Sequence, residues 1–366
     1  MTPRQAKTRV EQLTREIEDR QARRVRALRL AGCAILVLIA AAAIAYRLRS
    51  SNFQWNRFAA AFRGLSWFWF AFSIFLNFGT YFGRALRWEV MIRPMKPNAR
   101  VRTVLDATLI GFTSVLLLGR PGELVRPYLI ANKEHLPFTS QMAAWLLERI
   151  FDLLMVLAVF SFALTRIPAA AIAAHPTLAH VLSTAGALSG ILAVICFALL
   201  FVFGRFPGQA AARLSGALGI LPERLREKVD RLVSTFLLGM QSTSQRGTLA
   251  LLAAYTIAEW AVIVGTTWAV FRAFPETAGL GLNGICIFLG FVAFGSIVQI
   301  PGIGGGMQVA GVMALTEILG LDVEPATAIA LIFWFVTFVT VVPVGLGLAV
   351  HEGVNWRRLR HLRDEV

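Results

Sequence analysis

Residues 103 to 123 read TVLDATLIGFTSVLLLGRPGE, an apolar run that ends in a turn from Gly119 to Glu123. A second run, residues 284 to 300, reads GICIFLGFVAFGSIVQI and ends in the turn PGIGGG, residues 301 to 306. Two interrupted apolar segments at matching places in two halves of a chain are typical of sites at mid-membrane depth in transporters. Non-helical backbone survives there only where protein packs around it or a wet cavity lies beside it. The two interruptions therefore predict an interior that holds something polar.

The composition indicates a polytopic membrane protein. The chain of 366 residues is 57% hydrophobic and 16% charged, with 27 Phe, which is too apolar for a soluble domain. The three cysteines lie in apolar runs without metal-ligand spacing, so we expect neither a disulfide framework nor a metal site. The net charge of +15 comes from basic residues in loops beside apolar segments. No base-stacking or groove-reading motif accompanies it, so we expect no nucleic-acid partner.

Uninterrupted apolar stretches predict an all-α protein with about six membrane spans. The stretches are residues 30–46, 65–83, 142–165, 178–203, 248–271 and 325–350. Basic residues are dense in the N-terminal segment, in the loop from Arg84 to Arg102, in the central loop after residue 204 and in the C-terminal tail. The positive-inside rule places these segments and both termini in the cytoplasm. The basic first outer loop, residues 47–63, is the exception.

The two interrupted segments are then predicted to enter the membrane from opposite faces. Each arm has about 15 residues where roughly 20 are needed to cross, which favours re-entrant hairpins at residues 103–131 and 284–320 over short tilted spans. The count of basic residues in the loops does not distinguish re-entrant hairpins from short tilted spans. Each half of the chain would then contain a span, a re-entrant hairpin and a second span. The two halves would have opposite orientations in the membrane, as in inverted-repeat transporters.

This organisation divides the chain into five segments. They are a basic cytoplasmic helix (1–29), a first membrane half (30–203), a cytoplasmic interfacial helix (204–247), a second membrane half (248–350) and a basic cytoplasmic tail (351–366). We expect the interfacial helix to lie on anionic lipids of the inner leaflet.

Charged residues inside apolar segments are the first candidates for a functional site. Glu148, Arg149 and Asp152 lie within the predicted span 142–165, with the two carboxylates one helical turn apart. A charge at that depth costs several kcal/mol unless it is paired, so these residues need partners. The complementary residues are Arg84, Arg87, Arg120, Glu123 and Arg126. The alternative is an ion-pair network that only fixes a hairpin to a span.

The two turns are the second candidates. Glycine-rich backbone at a helix start presents free N–H donors and a positive dipole end, which suit phosphate or carboxylate. Arginine adds bidentate contacts to the same anion. A single glycine triplet would more simply indicate close helix packing, but the paired location of these turns favours a site.

Four motifs, taken in order, resemble the flippase-like membrane domain found at the N-terminus of lysylphosphatidylglycerol synthases and in stand-alone bacterial and archaeal proteins. The motifs are Arg84-x-x-Arg87-Trp88, Arg120-x-Gly122-Glu123-x-x-Arg126, Glu148-Arg149-x-x-Asp152 and Pro301-Gly302-Ile303-Gly304-Gly305, within roughly residues 60–350. The resemblance implies a plasma-membrane protein, in bacteria an inner-membrane protein, that translocates lipids. The lipid is aminoacylated phosphatidylglycerol in the synthase context. Many relatives have Arg-Glu where this chain has Met307-Gln308, and we expect no synthase activity because the soluble transfer domain is absent.

We therefore expect a transporter of a phospholipid or polyprenyl-phosphate-linked headgroup, with no catalytic residue, cofactor or metal, and compatible with a homo-oligomer. The arginines and the backbone N–H groups of the turns would bind the phosphate. The carboxylates would pair with these arginines or with a cationic group of the lipid headgroup. The candidate headgroup-binding residues are Arg84, Arg87, Arg120, Gly122, Glu123, Arg126, Glu148, Arg149, Asp152, Pro301, Gly302, Gly304, Gly305, Gly306 and Gln308. The alternatives are a membrane enzyme or accessory factor in lipid-linked sugar or cell-envelope lipid metabolism, a non-transporting scaffold, and a DedA-like transporter architecture.

Overall fold

A computed structural model describes residues 53–164, parts of 184–198, residues 247–296, 299–300, 302 and 304–353. All of these except residues 53–55 belong to one compact unit, Asn56–Val366. The predicted helix 1–29, the span 30–46, the interfacial helix up to residue 246 and the tail from residue 354 lie outside the described residues, as does most of the span 178–203.

The described chain is mostly helical. The helices are α1 (Trp55–Arg63), α2 (Trp67–Ile92), α3 (Val101–Leu118), α4 (Val125–Glu134), α5 (Phe138–Leu164), α6 (Thr248–Ala273), α7 (Leu282–Gly295), α8 (Gly306–Met313), α9 (Val323–Trp334) and α10 (Val341–His351). Residues 188–196 are also helical. A 3₁₀ turn, Arg120–Leu124, joins α3 to α4, and π-turns at Ala314–Ile318 and Phe335–Val339 follow α8 and α9. Strands β1 (Gln299–Ile300) and β2 (Gly304–Gly305) pair antiparallel.

Three described stretches are long and apolar enough to cross a membrane: Val101–Leu118, Thr248–Ala273 and Val323–His351. Helices α1 and α2, bent by 81° at their junction, would make a fourth if they form one span. Helix α5 is also long enough, with 27 residues, but it carries Glu148, Arg149 and Asp152 near its middle. The protein is thus a helical membrane protein, while the full number of spans and the inverted repeat remain predictions.

Glycines with positive φ form both turns. Gly119, with φ of 71°, directly follows α3, whereas α7 ends at Gly295 and strand β1 precedes the second turn, where Gly302, Gly304 and Gly305 have positive φ. Residues other than glycine rarely adopt a positive φ, so the glycines at these positions permit the turns.

The first segment folds back on itself after its turn. A Cβ at Gly111 in α3 would lie 2.6 Å from the Cβ of Arg126 in α4, so the two helices are in close contact there. Helix α4 has ten residues, about 15 Å, which is too short to cross a membrane. Helix α3 alone is long enough to cross, so re-entry of the first segment stays a prediction.

Helix α2 extends beyond the predicted span 65–83 and ends at Ile92. The sequence-based placement of Arg84 and Arg87 in the following loop is therefore wrong. Both arginines lie within the helix, and Arg87 is 1% exposed. Carboxylates from other helices compensate their charges, so the helix continues through them.

Aromatic side chains form much of the core around the second interrupted segment. The ring of Phe288 in α7 makes edge contacts with Phe271 in α6 at 5.2 Å and with Phe333 in α9 at 5.1 Å between centroids. A separate cluster around Trp88, Ile110 and Ile130 packs the first segment against α2. The second cluster thus packs α2, α3 and α4 together, and the first packs α6, α7 and α9.

Candidate functional site

Arginines and carboxylates from α2, α4, α5 and α6 form one cluster of buried and partly buried side chains. Its members are Arg84, Arg87, Arg126, Glu148, Arg149, Asp152 and Glu259. Four arginines face three carboxylates, so the cluster keeps one formal positive charge among the described residues.

Glu148 is the central carboxylate of this cluster and is 1% exposed. It forms a fork with Arg126, with Nη1 3.2 Å from Oε1 and Nη2 3.1 Å from Oε2. Arg87 Nη2 lies 3.0 Å from Oε1 of the same carboxylate, and Arg84 Nη1 lies 3.5 Å from it. One carboxylate therefore links α5 to the second arm of the first segment and to α2.

Arg87 joins three helices through its guanidinium group. Its Nη1 donates to Asp152 Oδ1 at 2.8 Å and to Thr256 Oγ1 at 3.1 Å, and lies 3.3 Å from Glu259 Oε2. Glu259 Oε1 in turn lies 2.9 Å from Arg84 Nη2. Glu259 in α6 thus compensates the two arginines of α2 together with the carboxylates of α5.

Aromatic rings support two of these arginines. The Arg126 guanidinium carbon lies 4.0 Å from the centroid of the Trp88 ring, and that of Arg84 lies 5.0 Å from the Phe112 ring. Both distances fall within the range of cation–π contacts. The indole N–H of Trp88 donates to Gln141 Oε1 at 3.0 Å, which fixes the ring under Arg126.

The tips of the two interrupted segments touch each other. The Gly302 N–H donates to the Leu116 carbonyl at 2.7 Å, and Arg120 Nη2 donates to the Ser296 carbonyl at 3.2 Å. Arg120 Nη1 also pairs with Glu123 at 2.8 Å within the first turn. Carbonyl groups near the end of each interrupted helix therefore accept hydrogen bonds from the turn of the other segment.

A cavity of about 290 Å³ lies where these tips meet the charged cluster. The charged residues on its wall are Arg84, Arg120, Glu123, Arg126, Arg149 and Asp152. Its uncharged wall includes Trp145, Trp260, Leu289, Val292, Met307, Phe333, Trp334 and Phe338. A wall with four arginines and two carboxylates is suited to an anion next to an apolar group.

The sequence candidates divide into three sets by their position. Arg84, Arg120, Gly122, Glu123, Arg126, Arg149, Asp152 and Gly304 line the cavity. Arg87 and Glu148 lie behind the wall and bind residues that line it. Gly302, Gly305, Gly306 and Gln308 do not line it, and Pro301 lies outside the described residues.

The second turn is held internally by Gln308. Its side-chain Oε1 accepts a 2.7 Å hydrogen bond from the Gly305 N–H at the start of α8. This contact gives Gln308 a role in shaping the turn beside the cavity.

Sequence reasoning missed Glu259 and the tryptophans of the cavity. Glu259 is a carboxylate inside the apolar stretch 248–271, and the criterion applied to Glu148 would have found it. Trp145, Trp260 and Trp334 carry no such signal, because tryptophan is common both in cores and at membrane interfaces.

Residues 29–345 match the family described as the lysylphosphatidylglycerol synthase TM region. No curated protein and no solved structure shows significant similarity to the chain. Among the residues that the structure describes, no group of three His, Cys, Asp or Glu side chains is placed to hold a metal ion. The family match covers most of the chain and includes both interrupted segments and every helix of the charged cluster. The chain therefore belongs to the family of lysylphosphatidylglycerol synthase transmembrane regions, a family of membrane domains.

Proposed function

We propose that this protein moves a lipid between membrane leaflets by binding its phosphate in the arginine-lined cavity. The observation that carries the proposal is the cavity at the meeting point of two interrupted segments, with four arginines on its wall. Arginine binds phosphate oxygens in a bidentate manner, and its charge persists in a buried site. Interrupted helices that meet at a polar site are the arrangement by which transporters hold polar substrates.

The roles within the cavity follow from the contacts. Arg126 is anchored by Glu148 and by the Trp88 ring, so its guanidinium is preorganised for an anion. Arg120 sits at the tip of the first segment and also contacts the second at Ser296. Movement of one tip against the other would change the access of this arginine to each side of the membrane.

A transporter fits this cavity better than an enzyme does. Glu123 and Asp152, the carboxylates on the described wall, are each within 2.8 Å of an arginine nitrogen. A carboxylate held in this way is a poor general base, because proton uptake would leave its arginine partner unpaired. We place the protein in the plasma membrane, the inner membrane in bacteria, with both termini in the cytoplasm.

Reconstitution into liposomes tests this function against its alternatives. Purified full-length protein is incorporated into vesicles that contain fluorescent phosphatidylglycerol, and the fraction accessible to an impermeant quencher is followed with time. Mass spectrometry of the same vesicles reports the chemical identity of the lipid. The proposal requires movement between leaflets without chemical change. A chemically altered lipid that does not move would indicate an enzyme, and an unaltered lipid that stays in its leaflet would indicate a scaffold.

A further inference from the structure

The charged and uncharged parts of the cavity wall come from different parts of the fold. The charged residues on the described wall belong to α2, to the first segment and to α5. The second segment, which comprises α7, the second turn and α8, contributes uncharged residues to that wall. They are Leu289, Val292, Ala293, Ser296, Gly304 and Met307. Movement of the second segment would therefore open the cavity and leave its arginines in place.

Ion pairs hold both ends of α4, the second arm of the first segment. At its start, Arg126 forms the fork with Glu148 of α5. At its end, the buried Glu134 has its Oε2 2.6 Å from Nζ of Lys96, in the loop after α2. Separation of such a pair leaves an uncompensated charge in a buried site, which is costly. These contacts oppose any movement of α4.

Close packing holds α3, the first arm of the same segment. A Cβ at Gly345 in α10 would lie 2.7 Å from the carbonyl oxygen of Leu109, so α10 contacts α3 without space for a side chain. The Thr113 hydroxyl donates to the Val341 carbonyl at 3.4 Å. The first segment is therefore fixed to α5, to α10 and to the loop after α2.

The second segment contacts its neighbours in a different way. Residues 284–320 contain one charged side chain, that of Glu317, and it is exposed. In α5 the ring of Phe160 lies 4.6 Å from that of Phe294 and 5.9 Å from that of Phe291, between centroids. Similar ring contacts join α7 to α6 and α9. Apolar contacts have no preferred direction, so α7 can slide on α5 without separating a buried ion pair.

The two arms of the second segment form one body because they pack closely. A Cβ at Gly295 in α7 would lie 2.5 Å from the Cβ of Ala310 in α8. A Cβ at Gly284 would lie 3.6 Å from the Leu319 side chain, so the two ends of the segment lie together. Val309 in α8 is 57% exposed, so that side of α8 is open in the described part of the chain. The segment can therefore pivot about a single base.

Hydrogen bonds at the tips hold the cavity closed between the two segments. They run from Gly302 to Leu116 and from Arg120 to Ser296, and both acceptors are backbone carbonyls. A phosphate in the cavity is a stronger acceptor for Arg120 than a carbonyl, because charge-assisted hydrogen bonds are roughly twice as strong as neutral ones. Binding of a headgroup would therefore weaken the contact between the tips.

Resting on the function proposed above, we propose that the second segment is the moving gate of the cavity, while the first segment, with α2 and α5, is its fixed binding wall. The headgroup phosphate stays against the arginines while α7 and α8 pivot away from the first tip. The gate slides on the apolar surface of α5 and breaks no buried ion pair.

A disulfide between α5 and α7 tests whether the second segment has to move. A Cβ at Gly290 would lie 3.5 Å from the Cβ of Phe160, within the range of about 3.5 to 4.5 Å found in disulfides. Phe160→Cys and Gly290→Cys are combined in the full chain with its three native cysteines replaced by alanine. Translocation of phosphatidylglycerol in liposomes is then measured before and after oxidation. We expect oxidation to lower the initial rate at least about tenfold and reduction to restore it.

A disulfide that leaves the second segment free is the control. Leu164→Cys with Gly186→Cys has a Cβ separation of 3.9 Å and joins the end of α5 to a residue outside both segments. Its oxidation should leave the rate unchanged. A wild-type rate from the oxidised Phe160–Gly290 pair, or an equal loss for both pairs, would overturn the moving gate and leave the proposed function standing. Absence of translocation by the wild type itself would overturn the proposed function and the gate with it.

Distances between nitroxide labels on exposed side chains show which segment moves without any change to the interior. Labels are attached to cysteines introduced at Val309 in α8, Asn132 in α4 and Phe75 in α2. Double electron–electron resonance is recorded in detergent with and without saturating dihexanoyl phosphatidylglycerol. We expect the lipid to shift or split the distance distribution between Val309 and Phe75 and to leave that between Asn132 and Phe75 unchanged. A change confined to the Asn132 pair, or no change in either pair, would overturn the proposal.

Discussion

The backbone N–H of Gly302 donates a hydrogen bond of 2.7 Å to the carbonyl oxygen of Leu116. Leu116 lies in the last turn of α3, where helix carbonyls lose their partners in the helix. Gly302, with φ of 77°, lies between the two short strands of the second turn. The interruption of one segment therefore supplies the hydrogen-bond donor that the other needs, which explains how non-helical backbone is tolerated inside the protein.

The fit of the first tip depends on Gly122. A Cβ at this position would lie closer than 3.0 Å to backbone atoms of Ser114 and Val115, so the turn must move to accept it. Gly122→Ala should lower stability by about 1 to 3 kcal/mol and reduce lipid binding. The melting temperature in detergent checks the first effect.

Gly83 provides the control for this substitution. It lies in α2, and its Cβ position has open space, so Gly83→Ala should leave stability unchanged or raise it by up to about 1 kcal/mol. Equal melting temperatures for the Gly122 and Gly83 variants would show that the tip is not closely packed.

Removal of Glu148 should destabilise the protein through its arginine partners. Glu148→Ala leaves Arg126 and Arg87 without their shared carboxylate in a buried site, at a cost of about 3 to 5 kcal/mol. Glu317→Ala, at an exposed carboxylate of the second segment, should have little effect. Wild-type melting and wild-type lipid translocation by the Glu148 variant would remove this residue from the site.

The contacts of Arg126 predict an order of phosphatidylglycerol affinities among wild type and two Arg126 variants. Its planar guanidinium bridges Glu148 and an incoming phosphate in a way that a lysine ammonium cannot reproduce. Titration with short-chain phosphatidylglycerol should give wild type the highest affinity, Arg126→Lys less and Arg126→Gln the least. A scaffold would show no such order among the three proteins.

The π-turn after α9 depends on contacts from α2. The Asn77 side chain donates to the Val336 carbonyl, and the Tyr81 hydroxyl donates to the Thr337 carbonyl, both at 2.7 Å. Asn77→Ala removes one of the two side-chain donors to the Val336 carbonyl, the other being the Thr340 hydroxyl at 2.7 Å, and should cost about 0.5 to 1.5 kcal/mol. In the described part of the chain, the Ser73 hydroxyl donates to the Phe70 carbonyl of its own helix, so a smaller fall in melting temperature is expected for Ser73→Ala. Equal falls would mean that α2 does not support the π-turn.

The sequence predicts the family, the membrane class and the position of the glycine turns. The family is confirmed by the match over residues 29–345. Glu148 and Asp152 could be recognised because charges are costly in apolar helices. The sequence predicts Arg84 and Arg87 in a loop because a span of ordinary length ends before them, whereas in the structure carboxylates of α5 and α6 pair with both arginines within α2.

Other features of the site could not be read from the sequence. The bond between Gly302 and Leu116 involves backbone atoms, which every residue has, so no residue pattern marks it. The π-turn at Phe335–Val339 lies in a continuous apolar stretch whose composition suits an α-helix equally well. The absence of an acceptor for the indole N–H groups of Trp260 and Trp334 among the described residues can be seen only in the structure.

The central claim is that the arginine-lined cavity carries the headgroup from one leaflet to the other. Its most direct test is the initial rate of phosphatidylglycerol translocation in liposomes that contain equal amounts of folded wild type, Arg126→Gln or Arg93→Gln protein. Arg93 is half-exposed and pairs with Glu89 away from the cavity, which makes it a matched control. We predict a wild-type rate for Arg93→Gln and a rate at least about tenfold lower for Arg126→Gln. Equal rates for Arg126→Gln and wild type would contradict the claim.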